Sequence, residues 1–334
     1  MDKRTLGKNG PDVSAIGVGA LSFSNFYGEA TDEGSHEILN KSLEMGIDHI
    51  DTSNVYGNGR SETVIGSFLK KQGRQKNELF KIASKVGIRR DEATGKRFFD
   101  NSEAHIREQL EGSLKRLGLD TLDLYYVHRR DASIPIEDVT GTMCQLVKEG
   151  KIRSFGFSEI APTSLMLANS VGHVAAVQSE YSLSTRSPEM GLTQLTKELG
   201  TALVAFSPVG RSLLTDDPHP NDRAQNLDFL KVNPRFQEPN LTRNIEAGAK
   251  FRALASDLGL SAAGLSIAWL LHQDSNIIPI PGTRSVKHLA ELVKGANSKL
   301  DSQTLTAIEA ALPIGWAHGD RYSPDQWMAV ERYC

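Results

Sequence analysis

Cysteine is scarce in this sequence, with only Cys144 and Cys334 among 334 residues. Two cysteines, one of them at the last position, do not make the disulfide framework typical of small secreted proteins, so a reducing compartment fits better. Long hydrophobic runs are absent too, because no segment approaches the ~18 consecutive apolar residues that a membrane-spanning helix needs. The first seven residues contain no apolar core of a signal peptide. We therefore expect a cytoplasmic protein that does not enter a membrane.

The sequence also lacks an excess of charge of one sign. Lys and Arg total 38, Asp and Glu total 41, and the formal net charge is -3. This balance provides no basic surface for nucleic acid or for an anionic membrane, so neither partner is expected. Hydrophobic residues make up 39% of the chain and charged residues 24%, which is typical of a folded protein with a sizeable core.

Short apolar runs alternate along the chain with longer segments of helical period, a pattern typical of βα units around a parallel sheet. The predicted strands are Ala15–Gly19, Asp48–Asp51, Phe80–Lys85, Leu122–Val127, Ile152–Phe157, Ala175–Gln178, Ala202–Phe206 and Ile277–Ile280. The predicted helices are Asp32–Glu44, Ser61–Lys71, Ser102–Leu117, Ile136–Glu149, Ala161–Asn169, Leu192–Glu198, Ile245–Leu271 with a break near Gly259, and Val286–Gly295. Eight such units without a linker predict one domain over residues 1–334. The predicted fold is α/β, a (β/α)8 TIM barrel with an N-terminal β-hairpin and a C-terminal tail.

Two segments depart from this repeat. Pro208–Arg243 is rich in Pro and Asp and has weak periodicity. An irregular insertion of this length is usually functional. The tail after Pro313 contains Trp316, Tyr322 and Trp327, which either line a pocket or pack against the barrel.

Four polar side chains fall where the predicted strands end, the edge at which barrel enzymes carry their active sites. Asp51 ends the second strand, Tyr56 follows five residues later, and Lys85 and His128 close the third and fourth strands. A tyrosine with a pKa near ~10 is a poor proton donor, but a neighbouring ammonium stabilises the phenolate and lowers this pKa. Lys85 would supply that ammonium, Asp51 would hold it, and His128 would orient a carbonyl group. Each residue alone has an ordinary structural explanation, but together they favour protonation of a developing alkoxide.

The segment Asp51–Gly57, followed by Lys85 and by Tyr125–His128, resembles the aldo-keto reductase family, in the branch of pyridoxal reductase and the potassium-channel β subunits. The resemblance extends from Leu6 to Glu291. It implies a (β/α)8 barrel in which NADP(H) reduces a small-molecule aldehyde or ketone, with Tyr56 as the general acid. It implies no metal, and the spacings of His, Cys and carboxylate residues suggest none. The oligomeric state is left open.

The same resemblance implies a set of cofactor-binding residues. The carboxamide would contact Ser158, Glu159 and Gln178, and the nicotinamide ring would stack on Phe206. Ser207, Pro208, Gly210 and Arg211 resemble the pyrophosphate loop, and Gly282, Thr283, Arg284, His288 and Glu291 resemble the adenosine and 2′-phosphate site. Glu159 stands where many members have Asn, and Leu292 stands where Asn often contacts the adenine. Because the insertion starts at this loop, we expect Pro208–Arg243 to be a lid that becomes ordered on cofactor binding.

Other interpretations remain at this point. The chain could be a nicotinamide-binding regulatory or sensor subunit with little turnover, or Lys85 could form a Schiff base in lyase or aldolase chemistry. A Rossmann dehydrogenase is not favoured, since Gly17-Val18-Gly19 lacks the third glycine of the dinucleotide fingerprint. Arg129 and Arg130 could attract anionic substrates, although exposure to solvent is the simpler expectation for them.

Overall fold

Eight parallel strands form the centre of the protein, which we describe from a computed structural model covering residues 1–73, 76–91 and 93–333. Cys334 lies outside the described residues. The strands are β1 (Lys3–Thr5), β2 (Asp12–Ser14), β3 (Val18–Gly19), β4 (His49–Asp51), β5 (Lys81–Val86), β6 (Ile88–Arg90), β7 (Arg97–Phe99), β8 (Leu124–Val127), β9 (Phe155–Ser158), β10 (Ala176–Glu180), β11 (Ala202–Phe206) and β12 (Ile277–Pro279). The helices are α1 (Asp32–Glu44), α2 (Arg60–Lys71), α3 (Lys76–Leu79), α4 (Glu103–Leu117), α5 (Ile136–Lys148), α6 (Pro162–Val171), α7 (Leu192–Leu199), α8 (Asn221–Gln225), α9 (Asn240–Ala247), α10 (Ala249–Asp257), α11 (Ala262–Gln273), α12 (Val286–Ala296) and α13 (Ser302–Ala311).

The central sheet runs in the order β3, β4, β5, β8, β9, β10, β11 and β12, which confirms the eight predicted strands. Backbone hydrogen bonds join its two edges, because Gly17 N donates to the Pro279 carbonyl at 2.9 Å and Gly19 N to the Pro281 carbonyl at 3.0 Å. A Cβ atom at Gly19 would lie 2.6 Å from the Ile280 carbonyl oxygen, so glycine permits this close approach. The fold is therefore the predicted (β/α)8 barrel.

Helix α4 shows how the sequence forms the outer layer. The Ser102 side chain accepts a hydrogen bond from His105 N at 3.4 Å and caps the helix as predicted. The apolar stripe of the helix is buried: Ile106, Leu110, Leu114 and Leu117. Such a stripe stabilises the helix mainly through packing against the sheet.

The predicted N-terminal hairpin closes one end of the barrel. Strands β1 and β2 pair antiparallel, and Lys8 N donates to the Gly200 carbonyl just before β11. Leu6 and Val13 are fully buried against Tyr126 and Val204 from the interior of the barrel. The opposite end, where the strands terminate, carries the loops that follow the strands.

The C-terminal third differs from the prediction in two places. Ile245–Leu271 contains parts of three helices rather than two, because Gly248 already separates α9 from α10. Helix α13 was not predicted, although Asp301 caps it by accepting a hydrogen bond from Thr304 N at 2.7 Å.

The insertion Pro208–Arg243 is more tightly packed than its composition predicts. It contains the short helix α8, and its apolar residues Leu213, Leu214, Leu230 and Phe236 belong to the hydrophobic core. Their burial offsets part of the entropy lost on ordering this segment. The stretch around Asp217 and Asp222 is largely exposed.

The tail after α13 packs across the end of the barrel at which the strands terminate. Trp316 Nε1 donates to the Leu183 carbonyl at 2.8 Å, and Glu331 N donates to the Glu159 carbonyl at 3.0 Å. Of the two interpretations of the tail aromatics, packing against the barrel accounts for Trp316, which is 9% exposed.

Within the residues described, no single helix has the length and apolarity required to span a bilayer. One helix pair, Asn240–Asp257 with Ala262–Gln273, meets the criteria by length and composition but is bent by 86°.

Candidate active site

The structure brings the four predicted catalytic side chains together around the Lys85 ammonium. Lys85 Nζ donates to the Asp51 carboxylate, to the Thr52 carbonyl at 2.8 Å and to the Tyr56 hydroxyl at 3.2 Å. Lys85 is fully buried and Asp51 is 2% exposed, so this is a buried ion pair. The ammonium is thus held between a carboxylate and a phenol.

The parallel register of the strands explains this convergence. Asp51 pairs with Ala83 across β4 and β5, and Lys85 pairs with Tyr126 across β5 and β8. The carboxyl ends of neighbouring strands therefore lie at one edge, as expected for a barrel. His128 follows β8 directly, and its N donates to the Val86 carbonyl at 2.7 Å, which fixes its backbone beside β5.

Three further contacts orient the acid and the histidine. Gln178 Nε2 donates to the second Asp51 oxygen at 2.7 Å, so both carboxylate oxygens have partners. His128 meets the Tyr56 ring edge-on with 5.8 Å between centroids, and its Nδ1 lies 3.3 Å from the Ser53 hydroxyl. The tyrosine and the histidine are consequently side by side.

The protonation of this group follows from burial and charge. Burial raises the pKa of Tyr56, and Lys85 offsets only part of this effect, so the phenol pKa lies above its ordinary value. This differs from the sequence-based expectation of a lowered pKa, because the sequence does not indicate how deeply the phenol is desolvated. Burial lowers the pKa of Lys85, but Asp51 and Tyr56 together outweigh burial and leave the pKa raised. At neutral pH the site therefore holds a neutral phenol beside a charged ammonium.

His128 is neutral. Burial lowers its pKa well below the ordinary value, and the cationic Arg129, Lys85 and Arg97 lower it further. A neutral imidazole can donate one hydrogen bond to an uncharged oxygen without bringing a second proton into the site.

The predicted carboxamide residues lie at the end of β9, where Ser158 is the last residue and Glu159 follows, and within β10, where Gln178 is the third of five residues. Ser158 is 1% exposed, and its hydroxyl accepts from Arg129 at 3.1 Å. The Glu159 carboxylate is occupied within the protein, since one oxygen accepts from Glu180 N at 2.8 Å and the other from Arg321 at 2.6 Å. The contact expected between Glu159 and the carboxamide therefore competes with an ion pair that ties the tail to β9.

The predicted pyrophosphate loop begins at the end of β11, directly after Phe206. Ser207, Gly210 and Arg211 all have positive φ, at 50°, 59° and 55°, so this loop is sharply turned. Pro208 lies between them. The Arg211 side chain turns inward and pairs with the buried Glu180 at 2.7 Å.

Arg284, at the predicted adenosine site, is hydrogen-bonded to the loop that contains Tyr27 and Glu29. Its guanidinium donates to the Glu29 carbonyl at 2.6 Å and to the Tyr27 carbonyl at 2.8 Å. Only some of its five N–H groups are used in this way. His288, in the first turn of α12, is exposed.

The other residues of that site lie around the start of α12. Thr283 Oγ1 accepts from Ser285 N at 3.0 Å, and Gly282, which is exposed, precedes it. Glu291 lines a cavity of about 450 Å³ together with Asp216 and Lys294. This cavity lies between the end of α10 and the α10–α11 loop, α12 and the insertion.

Sequence reasoning missed the role of Glu180 and misjudged Arg130. Glu180 is 2% exposed and contacts both Arg211 and Arg321 at 2.7 and 3.5 Å. Its position two residues after Gln178 in β10 was the available signal, because alternate residues of a strand share a face. Arg130 is not exposed to solvent as expected, since it pairs with Glu331 of the tail at 3.3 Å.

The described residues contain no group of three or more His, Cys, Asp or Glu side chains arranged to hold a metal ion. The site presents amine, phenol, imidazole and carboxylate groups.

Comparison with known proteins places this geometry in a family. The model of the aldo/keto reductase family matches residues 15–313. The chain is 36% identical over 315 residues to "Aldo-keto reductase yakc [NADP(+)]" of Schizosaccharomyces pombe, covering 93% of this chain and 92% of the relative. It is 35% identical over 318 residues to "Probable aldo-keto reductase 1" of Glycine max, covering 95% and 90%.

Solved structures agree with these relatives. The glycerol dehydrogenase AKR11B4 from Gluconobacter oxydans superposes with a TM-score of 0.82 at 26% identity, covering 97% of this chain and 98% of that one. The holo form of the aldo-keto reductase AKR11C1 from Bacillus halodurans has a TM-score of 0.78 at 25% identity, covering 98% and 99%. The chain belongs to the aldo/keto reductase family.

Proposed function

We propose that this protein reduces an aldehyde or a ketone to an alcohol with NADPH, and that Tyr56 is the general acid. The observation that carries the proposal is the Lys85 ammonium, which is bonded at once to the Asp51 carboxylate and to the Tyr56 hydroxyl. A phenol becomes a useful acid when the negative charge left on it is stabilised by a nearby cation.

The residues present fit a nicotinamide dinucleotide. Buried hydroxyl and amide groups of Ser158 and Gln178 lie beside Asp51, and the half-buried Phe206 ends β11 next to them. Glu291 lines a separate cavity of about 450 Å³ beside α12. Polar groups for an amide ring and a second cavity suit a long ligand. The similarity to a relative named for NADP(+) supports the choice of cofactor.

The protein side chains then have separate tasks. Bound NADPH supplies a hydride to the carbonyl carbon. Tyr56 donates its proton to the carbonyl oxygen, while Lys85 stabilises the phenolate that remains and Asp51 keeps Lys85 charged. The neutral His128 donates a hydrogen bond that positions the same oxygen.

For the 2′-phosphate we propose Arg284 and His288. Two guanidinium nitrogens of Arg284 bond backbone carbonyls, and its remaining N–H groups are available for a phosphate oxygen. His288 lies in the first turn of α12, where backbone N–H groups and the helix dipole favour an anion. Arg284 would thus bind the phosphate and hold the loop around Tyr27 and Glu29.

The Schiff-base alternative is disfavoured by the state of Lys85. A Schiff base needs a neutral amine, whereas Asp51 and Tyr56 together keep the Lys85 pKa above its ordinary value despite its burial. Borohydride trapping should therefore leave no carbonyl compound attached to Lys85.

The experiment that tests the proposal is a turnover assay in which NADPH oxidation is followed with aldehydes, ketones and pyridoxal. We expect repeated turnover that requires Tyr56. Tight NADPH binding with negligible hydride transfer in a single turnover would instead favour a regulatory or sensor subunit.

A further inference from the structure

We propose that the substrate of this protein carries an anionic group, a carboxylate or a phosphate, and that Arg97 and Arg129 bind this group beside the catalytic residues. The inference rests on the proposed reductase function, because it concerns the substrate of the same site. It assigns a task to two arginines that the reduction itself does not use.

Arg129 lies directly against the reacting centre. It follows His128 in sequence, and its Nη1 donates to the His128 carbonyl at 2.7 Å and to the Ser158 hydroxyl at 3.1 Å. These two contacts hold the guanidinium between the catalytic histidine and the proposed carboxamide subsite. No carboxylate oxygen in the part of the chain that the structure describes lies within 4 Å of it.

Arg97 lies in the β6–β7 hairpin, which follows β5 and its catalytic Lys85. Its Nη2 donates to the backbone carbonyl of Asp325 in the tail at 2.7 Å, and its guanidinium carbon lies 5.5 Å from the Phe99 ring centroid. Among residues 1–73, 76–91 and 93–333, it too has no carboxylate partner within 4 Å.

The two guanidinium groups are close enough to affect each other. Burial lowers the Arg97 pKa, and the charge of Arg129 is the next cause. Both arginines also lower the pKa of His128, so they act on the catalytic centre itself. Two half-buried like charges without an anion between them disfavour each other, and a bound anion removes this cost.

Three other arginines at this end of the barrel are each paired with a carboxylate. Arg130 pairs with Glu331 at 3.3 Å, Arg211 with Glu180 at 2.7 Å and Arg321 with Glu159 at 2.6 Å. In the described residues, Arg97 and Arg129 lack such a partner, and Arg90, opposite Arg97 in the β6–β7 hairpin, adds a further positive charge without a carboxylate beside it. A guanidinium binds a carboxylate or phosphate through paired N–H donors, which makes such an anion the matching ligand.

The first test compares three aldehydes that share a benzaldehyde core: 4-formylbenzoate, 4-formylphenyl phosphate and the neutral methyl 4-formylbenzoate. We expect kcat/KM to be about tenfold or more higher for at least one anionic aldehyde than for the neutral ester, the scale of a charge-assisted hydrogen bond. The larger of the two anionic values tells carboxylate from phosphate. The preference should shrink as ionic strength rises.

The second test uses Arg97→Gln, with Arg153→Gln as the matched control. Arg153 precedes β9 at the opposite end of the barrel and is 69% exposed, so it loses the same charge far from the site. In Arg97→Gln the ratio of anionic to neutral kcat/KM should fall about tenfold, mainly through KM. Arg153→Gln should keep the ratio of the unmodified protein. Arg129→Lys, which retains the charge but loses the fork, should lower the ratio by an intermediate factor.

Equal kcat/KM for the three aldehydes, or an Arg97→Gln variant that keeps the ratio, would overturn the inference. A third measurement separates it from the reductase proposal: calorimetric titration of the NADP+-loaded protein with 4-(hydroxymethyl)benzoate and with its methyl ester. Binding of the carboxylate that weakens in Arg97→Gln, without turnover of any aldehyde, would support the anion site and refute the reductase function. If the aldehydes are turned over at equal kcat/KM, and the calorimetric titration shows no tighter binding of the carboxylate than of its methyl ester, the anion site is refuted and the reductase function is retained.

Discussion

The buried pair between Asp51 and Lys85 allows a quantitative prediction from the variant Asp51→Asn. Asp51 accepts hydrogen bonds on both oxygens, from Lys85 and from Gln178. Asparagine has the same shape but only one acceptor oxygen, so one of these donors loses its partner. If the amide NH2 turns toward Lys85, two donors face each other in a buried position.

Removing one partner of a buried ion pair typically costs ~3–5 kcal/mol of folding free energy. Lys85 retains its bonds to the Thr52 carbonyl and the Tyr56 hydroxyl, so we expect the lower end, about 3 kcal/mol. The Lys85 pKa should also fall in this variant, because burial lowers it and the negative charge of Asp51 no longer raises it. Turnover should fall by ~10²-fold or more, because Asp51 no longer holds the Lys85 ammonium that stabilises the Tyr56 phenolate.

The double variant Asp51→Asn with Lys85→Met separates the two effects. Methionine is unbranched like the lysine stem, lacks only the terminal ammonium in length, and removes the unpaired charge, so we expect much of the stability to return. Turnover should not return, since no cation then stabilises the phenolate of Tyr56. Glu111→Gln, which breaks the exposed pair with Lys151, is the control and should cost under ~1 kcal/mol.

Urea unfolding followed by circular dichroism gives the stabilities, and NADPH oxidation gives the rates. A cost below about 1 kcal/mol for Asp51→Asn, the range of a surface pair, would contradict a buried ion pair at this position. A double variant less stable than Asp51→Asn alone would contradict an unpaired charge on Lys85.

Four further outcomes are expected. Tyr56→Phe should bind NADPH nearly as well as the unmodified protein and turn over ~10²-fold or more slowly; near-normal turnover would remove Tyr56 from the proton-donor role. Arg284→Ala should weaken NADPH binding by roughly 10- to 150-fold and NADH binding little, in fluorescence titrations; equal losses would mean that it only supports the loop. Hydrogen exchange in residues 209–243 should slow when NADPH binds, and complete protection before NADPH is added would show a fixed insertion rather than a lid. The pKa of His128 is lower in the folded state than its ordinary value of 6.5. The neutral imidazole therefore contributes fully to stability above pH 6.5, and this contribution is lost as the pH falls from 6.5 toward the folded-state pKa. His128→Gln should reduce the loss of unfolding free energy on acidification, and an unchanged pH dependence would argue against a neutral His128.

The order of secondary structure could be predicted because its signals are local. Helix α1 begins and ends at Asp32 and Glu44 as predicted, and Gly46 adopts the left-handed conformation expected after it, with φ of 81°. The pattern of eight alternating units then required a barrel or an open sheet, and the absence of a linker favoured the barrel. Helix α13 escaped the prediction even though Asp301 caps it, because no strand follows to complete a ninth unit.

The candidate catalytic residues could be predicted for a related reason. Parallel strands in register bring their carboxyl ends to one edge, so the positions of Asp51, Lys85 and His128 at strand ends already imply that they are neighbours. Their order along the chain, with Tyr56 between them, was enough to identify the family.

Contacts between distant segments were decided only by the tertiary structure. Arg321 reaches Glu159 across 162 positions of sequence, and Arg97 meets the tail at Asp325. Nothing local marks these pairs, because the path of a tail or a hairpin over a barrel depends on which surfaces remain uncovered. The pKa of Tyr56 belongs here as well: the sequence supplies the cation beside it, but the depth of burial, which raises this pKa, arises only when the chain is packed.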